Sequence, residues 1–213
     1  MKRNFFIAFE GLDGSGKSTQ VKILADALKE KGLKVYTTSE PTDGAMGRMI
    51  RDIFQHRQLA DHRTIAALFV ADRLDHLLNK TNGILKKLEE GFTVITDRYY
   101  FSSYAYHGTH MDMDWVIEAN AQSAGLLRPD LNIYIDISPE VSMKRLQRGR
   151  TSTELYETIE NLKTVREKYI EAFEKLKEEE KIFITNGNLF EDDIAKNIWN
   201  EVSRITELEK MES

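Results

Sequence analysis

Gly11-Leu12-Asp13-Gly14-Ser15-Gly16-Lys17-Ser18 satisfies the pattern G-x-x-x-x-G-K-[ST] at every fixed position, and it follows directly on the apolar run Phe5-Phe6-Ile7-Ala8-Phe9. A strand before such an octapeptide and a helical pattern after it are the context in which it forms a P-loop. Its glycines let successive backbone N–H groups turn inward onto phosphate oxygens, Lys17 adds positive charge, and Ser18 offers a hydroxyl to Mg²⁺. Binding of a nucleoside triphosphate is the expectation.

Downstream, Val21, Leu24, Ala25 and Leu28 recur at i, i+3, i+4 and i+7, an amphipathic helix ending at Gly32. Strands are expected at Lys34 to Thr38, Phe92 to Thr96, Leu131 to Ile137 and Lys181 to Thr185. Helical patterns cover Ala45 to Gln55, Thr64 to Leu78, Ile84 to Leu88, a stripe from Leu155 to Leu176, and Phe190 to Ile205. Ser138-Pro139-Glu140 reads as N-cap, first-position proline and first-turn acid of a helix reaching Gln147. Strands alternating with helices predict an α/β fold: a five-stranded parallel sheet, helices on both faces, and a site built from loops at the strand C-terminal ends.

A length of 213 residues fits one domain, residues 1–213, with a short lid at about 146–155. No cysteine is present, which removes disulfides and thiolate metal sites and suits a cytoplasmic protein. The apolar start stops at Glu10, short of the roughly 7–15 residues of a signal peptide core, and no run is long enough to span a membrane. A formal net charge of −5 argues against nucleic-acid binding, so anionic ligands must be held by local arginines. None of the five histidines has metal-ligand spacing; His107 and His110 fall in a stretch that reads as a loop around Gly108.

Asp97-Arg98 closes an apolar strand, where the carboxylate can hold Mg²⁺ through water and the guanidinium can reach a second ligand's phosphate; a surface ion pair is the alternative. Phe69 and Arg73, four apart on a helix, are either core and solvated residues or a nucleobase pocket. Arg145, Arg148 and Arg150 lead into Thr151-Ser152-Thr153, either a solvated helix end or a lid that brings charge to a transferring phosphoryl group. Arg166 lies on the apolar stripe, as a snorkelling side chain or a lid contact.

Taken together, Phe9-Glu10-Gly11 through Thr19, Glu40-Pro41, Leu68-Phe69-Val70-Ala71-Asp72-Arg73, Asp97-Arg98-Tyr99 with Ala105-Tyr106, and Arg128-Pro129-Asp130-Leu131 resemble the thymidylate kinases, nearly end to end. The resemblance implies the P-loop NTPase fold and phosphoryl transfer from ATP to dTMP, with Mg²⁺. It implies that Gly11, Asp13, Gly14, Ser15, Gly16, Lys17, Ser18 and Thr19 bind ATP, with Ser18 and Asp97 serving the metal. Asp13, Glu40, Pro41, Arg51, Phe69, Arg73, Arg98, Ser102, Ser103 and Tyr106 would form the dTMP site: Phe69 stacking on thymine, Arg73 donating to its O4, Arg51 and Arg98 on the phosphate, and Tyr106 crowding the sugar 2′ position. Lys17, Asp13, Arg98, Arg148 and Arg150 would act in catalysis. Some thymidylate kinases carry an arginine within the P-loop; here that position is Gly14, so the chain resembles the type whose lid supplies it. The family also implies a homodimer, through helices such as Thr64 to Leu78.

Ser39, Thr42-Asp43 and His107 depart from the residues frequent in bacterial relatives, and Arg48 is an alternative to Arg51. A deoxynucleoside kinase would need a general base at the acceptor, for which Glu10 is the carboxylate in place. A GTP-dependent switch would need a guanine-binding Asn-Lys-x-Asp, which Asn79-Lys80-Thr81-Asn82 does not supply.

Overall fold

The computed structural model describes residues 4–149 and 158–206. The elements are β1 (Phe6–Glu10), α1 (Lys17–Glu30), β2 (Val35–Ser39), α2 (Ala45–Phe54), α3 (His62–Leu78), α4 (Ile84–Glu89), β3 (Thr93–Asp97) and α5 (Tyr100–His107). They continue with α6 (Met113–Ala119), α7 (Ala121–Leu126), β4 (Leu131–Asp136), α8 (Pro139–Gly149), α9 (Ile159–Leu176), β5 (Ile182–Asn186) and α10 (Glu191–Thr206).

Five parallel strands run in the order β2-β3-β1-β4-β5. Side chains alternate across β1: Phe6 and Ala8 enter one core, Ile7 and Phe9 the other. Because both faces are covered, the strand is apolar from Phe6 to Phe9 instead of alternating with polar residues. Val21, Leu24, Ala25 and Leu28 of α1 pack with Ile194, Ile198 and Val202 of α10 on one face. Tyr100, Phe101 and Tyr104 of α5 pack with Leu162, Val165, Tyr169 and Phe173 of α9 on the other. Each such large apolar side chain contributes about 1.5–3 kcal/mol on burial.

The chain leaves β1 toward β3 and β2 on one side and returns to β4 and β5 on the other. The C-terminal end of β1 therefore sits where the winding reverses, the place at which parallel sheets open a crevice. Local signals agree with the sequence at α8, where Ser138 Oγ accepts the Val141 N–H at 3.3 Å. Residues 100–126 differ: the stretch that reads as a loop around His107 opens with the helix α5, and α6 and α7 follow. Every residue of α5 is buried, so no polar stripe marks its period. Helix α8 reaches Gly149, taking in the first part of the expected lid; Arg150 and the rest, to 155, lie outside the described residues. Among the described residues no helix is long and apolar enough to cross a membrane.

Candidate active site

The P-loop links β1 to α1. Gly14 (φ +74°) and Gly16 (φ +97°) hold the left-handed backbone that turns amides inward, and Gly16 caps α1 without a side chain, leaving the helix N-terminus open to an anion. Gly14 also permits a close approach: a Cβ there would lie 3.2 Å from Ser142 O and 3.3 Å from Arg145 Cβ, both on α8. Ser142 Oγ donates to Asp13 O at 2.6 Å, and Arg145 donates to Gly14 O (3.2 Å), Ser15 O (3.4 Å) and Gly187 O (3.1 Å). Arg145 is thus a strut from α8 to the P-loop and to the turn after β5.

Lys17 is buried, with Nζ folded back on Gly11 O (3.1 Å) and Leu12 O (2.9 Å). Burial, aided by the neighbouring Arg98 charge and opposed by Asp97, Asp13 and Glu10, pushes its pKa down to about 8. Ser18 Oγ donates to Asp97 Oδ2 at 2.6 Å, which brings together a hydroxyl and a carboxylate from α1 and β3 beside the loop. That oxygen pair is the donor chemistry of a hard cation whose remaining ligands come from phosphate and water.

Arg98 follows β3 with φ +77°, a conformation that non-glycine residues adopt at a cost. Its guanidinium reaches Ser102 Oγ (2.8 Å), Gly11 O (3.3 Å), Asp13 Oδ1 (2.6 Å) and Tyr106 Oη (3.3 Å). Tyr106 in turn donates to Asp13 Oδ2 at 3.0 Å. Desolvation opposes ionisation of Asp13, but the Arg98 and Lys17 charges and the hydrogen bonds outweigh it and hold its pKa at about 2.

These groups open on a cavity of about 550 Å³. Its lining includes Asp13, Gly14, Gly16, Lys17, Ser18, Thr19 and Asp97, and also Glu40, Pro41, Arg51, Phe69, Arg98, Ser102, Ser103 and Tyr106; the bonds of Arg98 and Tyr106 to Asp13 join the two groups. Gly11 and Ser15 belong to the P-loop but do not line the cavity. Arg51, bonded to Pro41 O (2.9 Å) and Asp43 Oδ1 (3.2 Å), lines it, whereas Arg48 turns to Asp43 O (2.7 Å). Arg148 lies in the last turn of α8. Arg166 forms a two-bond fork with Asp136 at the end of β4, both contacts at 2.7 Å.

Arg73 stands behind the cavity wall and is fully buried. It donates to Glu40 Oε2 (2.9 and 2.6 Å), Ser103 Oγ (3.0 Å), Tyr99 O (3.1 Å) and Asn120 Oδ1. Glu40 is completed by His76 Nδ1 at 3.1 Å. Phe54 and Gln55 line the cavity although no motif marks them, and so does His107, which departs from the residue frequent after Ala105-Tyr106. Phe54 packs 5.9 Å from Phe69 between ring centroids, and His107 packs 5.1 Å from it. Burial, with the Arg73 charge, drives the His107 pKa down to about 3, so the ring is neutral near pH 7; its Nδ1 has no protein partner.

The family profile described as thymidylate kinase matches residues 9–198. A protein of Pyrococcus horikoshii named "Probable thymidylate kinase" is 39% identical over 182 residues, covering 83% of this chain and 86% of its own. Namesakes from Thermococcus gammatolerans (37% over 202 residues, 91% and 93% covered) and Methanococcus aeolicus (35% over 199 residues, 92% and 94% covered) align over more of the length. With a P-loop and two arginines, Arg51 and Arg98, lining one cavity and a family match over most of its length, this chain belongs to the thymidylate kinase family, whose members are nucleoside monophosphate kinases.

Proposed function

We propose that the chain transfers the γ-phosphoryl group of ATP to dTMP, giving dTDP and ADP. The observation that carries this reading is one cavity lined both by the phosphate-binding loop and by Arg51, Arg98 and Phe69. ATP phosphates lie along the P-loop amides and Lys17. The dTMP phosphate meets Arg98 and Arg51, its base stacks on Phe69, and Ser103, held by Arg73, faces the base's polar edge. A direct bond from Arg73 to the base requires its guanidinium to leave one of its present partners. Tyr106 and Asp13 border the sugar.

Ser18 and Asp97 fit Mg²⁺, the latter through water, and the ion would neutralise charge on the ATP phosphates. The residues themselves place donor and acceptor in line and supply the positive charge on which such transfers depend. Arg148 and Arg150 are the proposed lid arginines. Glu10 is buried and does not line the cavity, which favours a monophosphate acceptor over a free nucleoside needing a base. For the homodimer, the outward face of α3 offers Ala67, Ala71 and Leu78, near-apolar and exposed. The cysteine-free sequence suits the cytoplasm.

ADP formation from ATP and Mg²⁺, with dTMP, dUMP, dCMP, dGMP, dAMP and thymidine offered separately, tests the proposal. Turnover chiefly with dTMP is expected; turnover with thymidine alone, or with none, overturns it.

A further inference from the structure

Glu10 ends β1 one residue before the P-loop begins and is wholly buried. Its carboxylate nevertheless gathers three donors: Oε1 takes the Tyr99 N–H at 2.9 Å, and Oε2 takes Ser102 Oγ at 2.6 Å and Tyr169 Oη at 3.0 Å. Each of those bonds bears on Arg98. The Tyr99 amide is the peptide immediately after Arg98, so its bond to Glu10 holds the left-handed backbone that aims the arginine. Ser102 Oγ accepts from Arg98 Nη1 at 2.8 Å while donating to Glu10. Tyr169 lies 3.5 Å from the same nitrogen and 2.9 Å from Ser102 Oγ.

We propose that Glu10 is a positioning residue for the acceptor phosphate, fixing Arg98 through Ser102 and the Tyr99 peptide and tying that arginine to α9 through Tyr169. The inference rests on the dTMP reading and adds to it a residue that touches no substrate. A carboxylate suits the role because both its oxygens are acceptors; an amide of the same shape has one acceptor and brings two N–H donors of its own against partners that are already donating. Burial makes the arrangement stiff, since an unmatched polar group there finds no water in exchange. The link to α9 joins Arg98, between β3 and α5, and Ser102, on α5, to a helix on the far side of the lid in sequence.

The test compares wild type, Glu10→Gln and Tyr169→Phe by calorimetric binding of dTMP and of thymidine, which shares base and sugar but lacks the phosphate, together with KM for ATP. Glu10→Gln is expected to weaken dTMP by about tenfold or more while thymidine and ATP change by less than about twofold. Tyr169→Phe removes one hydroxyl from a packed ring, and it is expected to weaken dTMP several-fold in the same selective way; it carries the comparison if Glu10→Gln does not fold. The double variant is expected to lose less than the product of the single losses, because both act on one arginine. Equal weakening of dTMP and thymidine, or strictly multiplicative losses, would overturn the positioning role alone. A wild type that binds no dTMP would overturn the dTMP reading and this role with it.

Discussion

Replacing Arg73 by alanine isolates a buried charge. The Arg73 and Glu40 side chains are each 1% exposed and face each other at 2.6 Å, so Arg73→Ala leaves a nearly buried carboxylate whose remaining side-chain partner is His76. Breaking a buried pair by removing one partner costs about 3–5 kcal/mol, and the orphaned Ser103 and Asn120 contacts do not reduce that. Against a typical total of about 5–15 kcal/mol this is a large fraction. At about 2–4 °C per kcal/mol for a chain of this size, the melting temperature should fall by roughly 6–20 °C. Urea unfolding followed by circular dichroism measures the loss, with an unchanged m value expected. Glu40→Gln combined with Arg73→Met removes both charges while keeping volume and a partner for His76, and should recover all but about 2 kcal/mol. If Arg73→Ala unfolds within about 1 kcal/mol of wild type, the buried Arg73–Glu40 pair does not stabilise the fold and Arg73 is free to serve the base directly.

Lys17→Ala should lower kcat by about 10²–10³-fold in a coupled ADP assay, and near-normal turnover would remove the P-loop assignment. Because Lys17 is held near a pKa of about 8 against an ordinary 10.5, the free protein loses that proton as pH rises through 8, and ATP must be bound at the cost of restoring it. KM for ATP should therefore climb above about pH 8 and stay flatter in Lys17→Arg; a flat wild-type profile from 7 to about 9.5 refutes it. On stability the same shift has the opposite sign: the unfolded chain keeps the proton longer, so the cost of burying the charged lysine is relieved and stability rises as pH goes from 8 toward 10.5. Asp97→Asn should raise the Mg²⁺ needed for half-maximal rate by about 10–100-fold, and an unchanged Mg²⁺ dependence would detach Asp97 from the metal.

The sheet and its P-loop were legible because their signals are local: an apolar run, fixed glycines, and 3.6-residue periodicity in α1 and α10. Helices α5 to α7 were not, since α5 is buried on all sides and its Tyr-Phe-Ser-Ser-Tyr run has no contrast to read. The Phe69/Arg73 pair shows the limit at the site. Four-residue spacing places both on α3, but only the fold reveals that Phe69 faces the cavity while Arg73 meets Glu40 across 33 positions. Phe54 carries no sequence signal, and His107 is legible only as a departure after Ala105-Tyr106: their place in the cavity depends on how α2 and α5 lean on α3, a relation no sequence interval encodes.

Gly14 has a wider meaning in this respect. An arginine introduced there would start on a left-handed backbone with its Cβ already pressed against α8, before any of its longer atoms were placed. Carrying the cation inside the loop and seating α8 on the loop are therefore competing uses of one small volume. Exchanging one arrangement for the other asks for two accommodations together: a side chain on a left-handed backbone at position 14, and a yielding of Ser142 and Arg145 on α8 by a few tenths of an ångström.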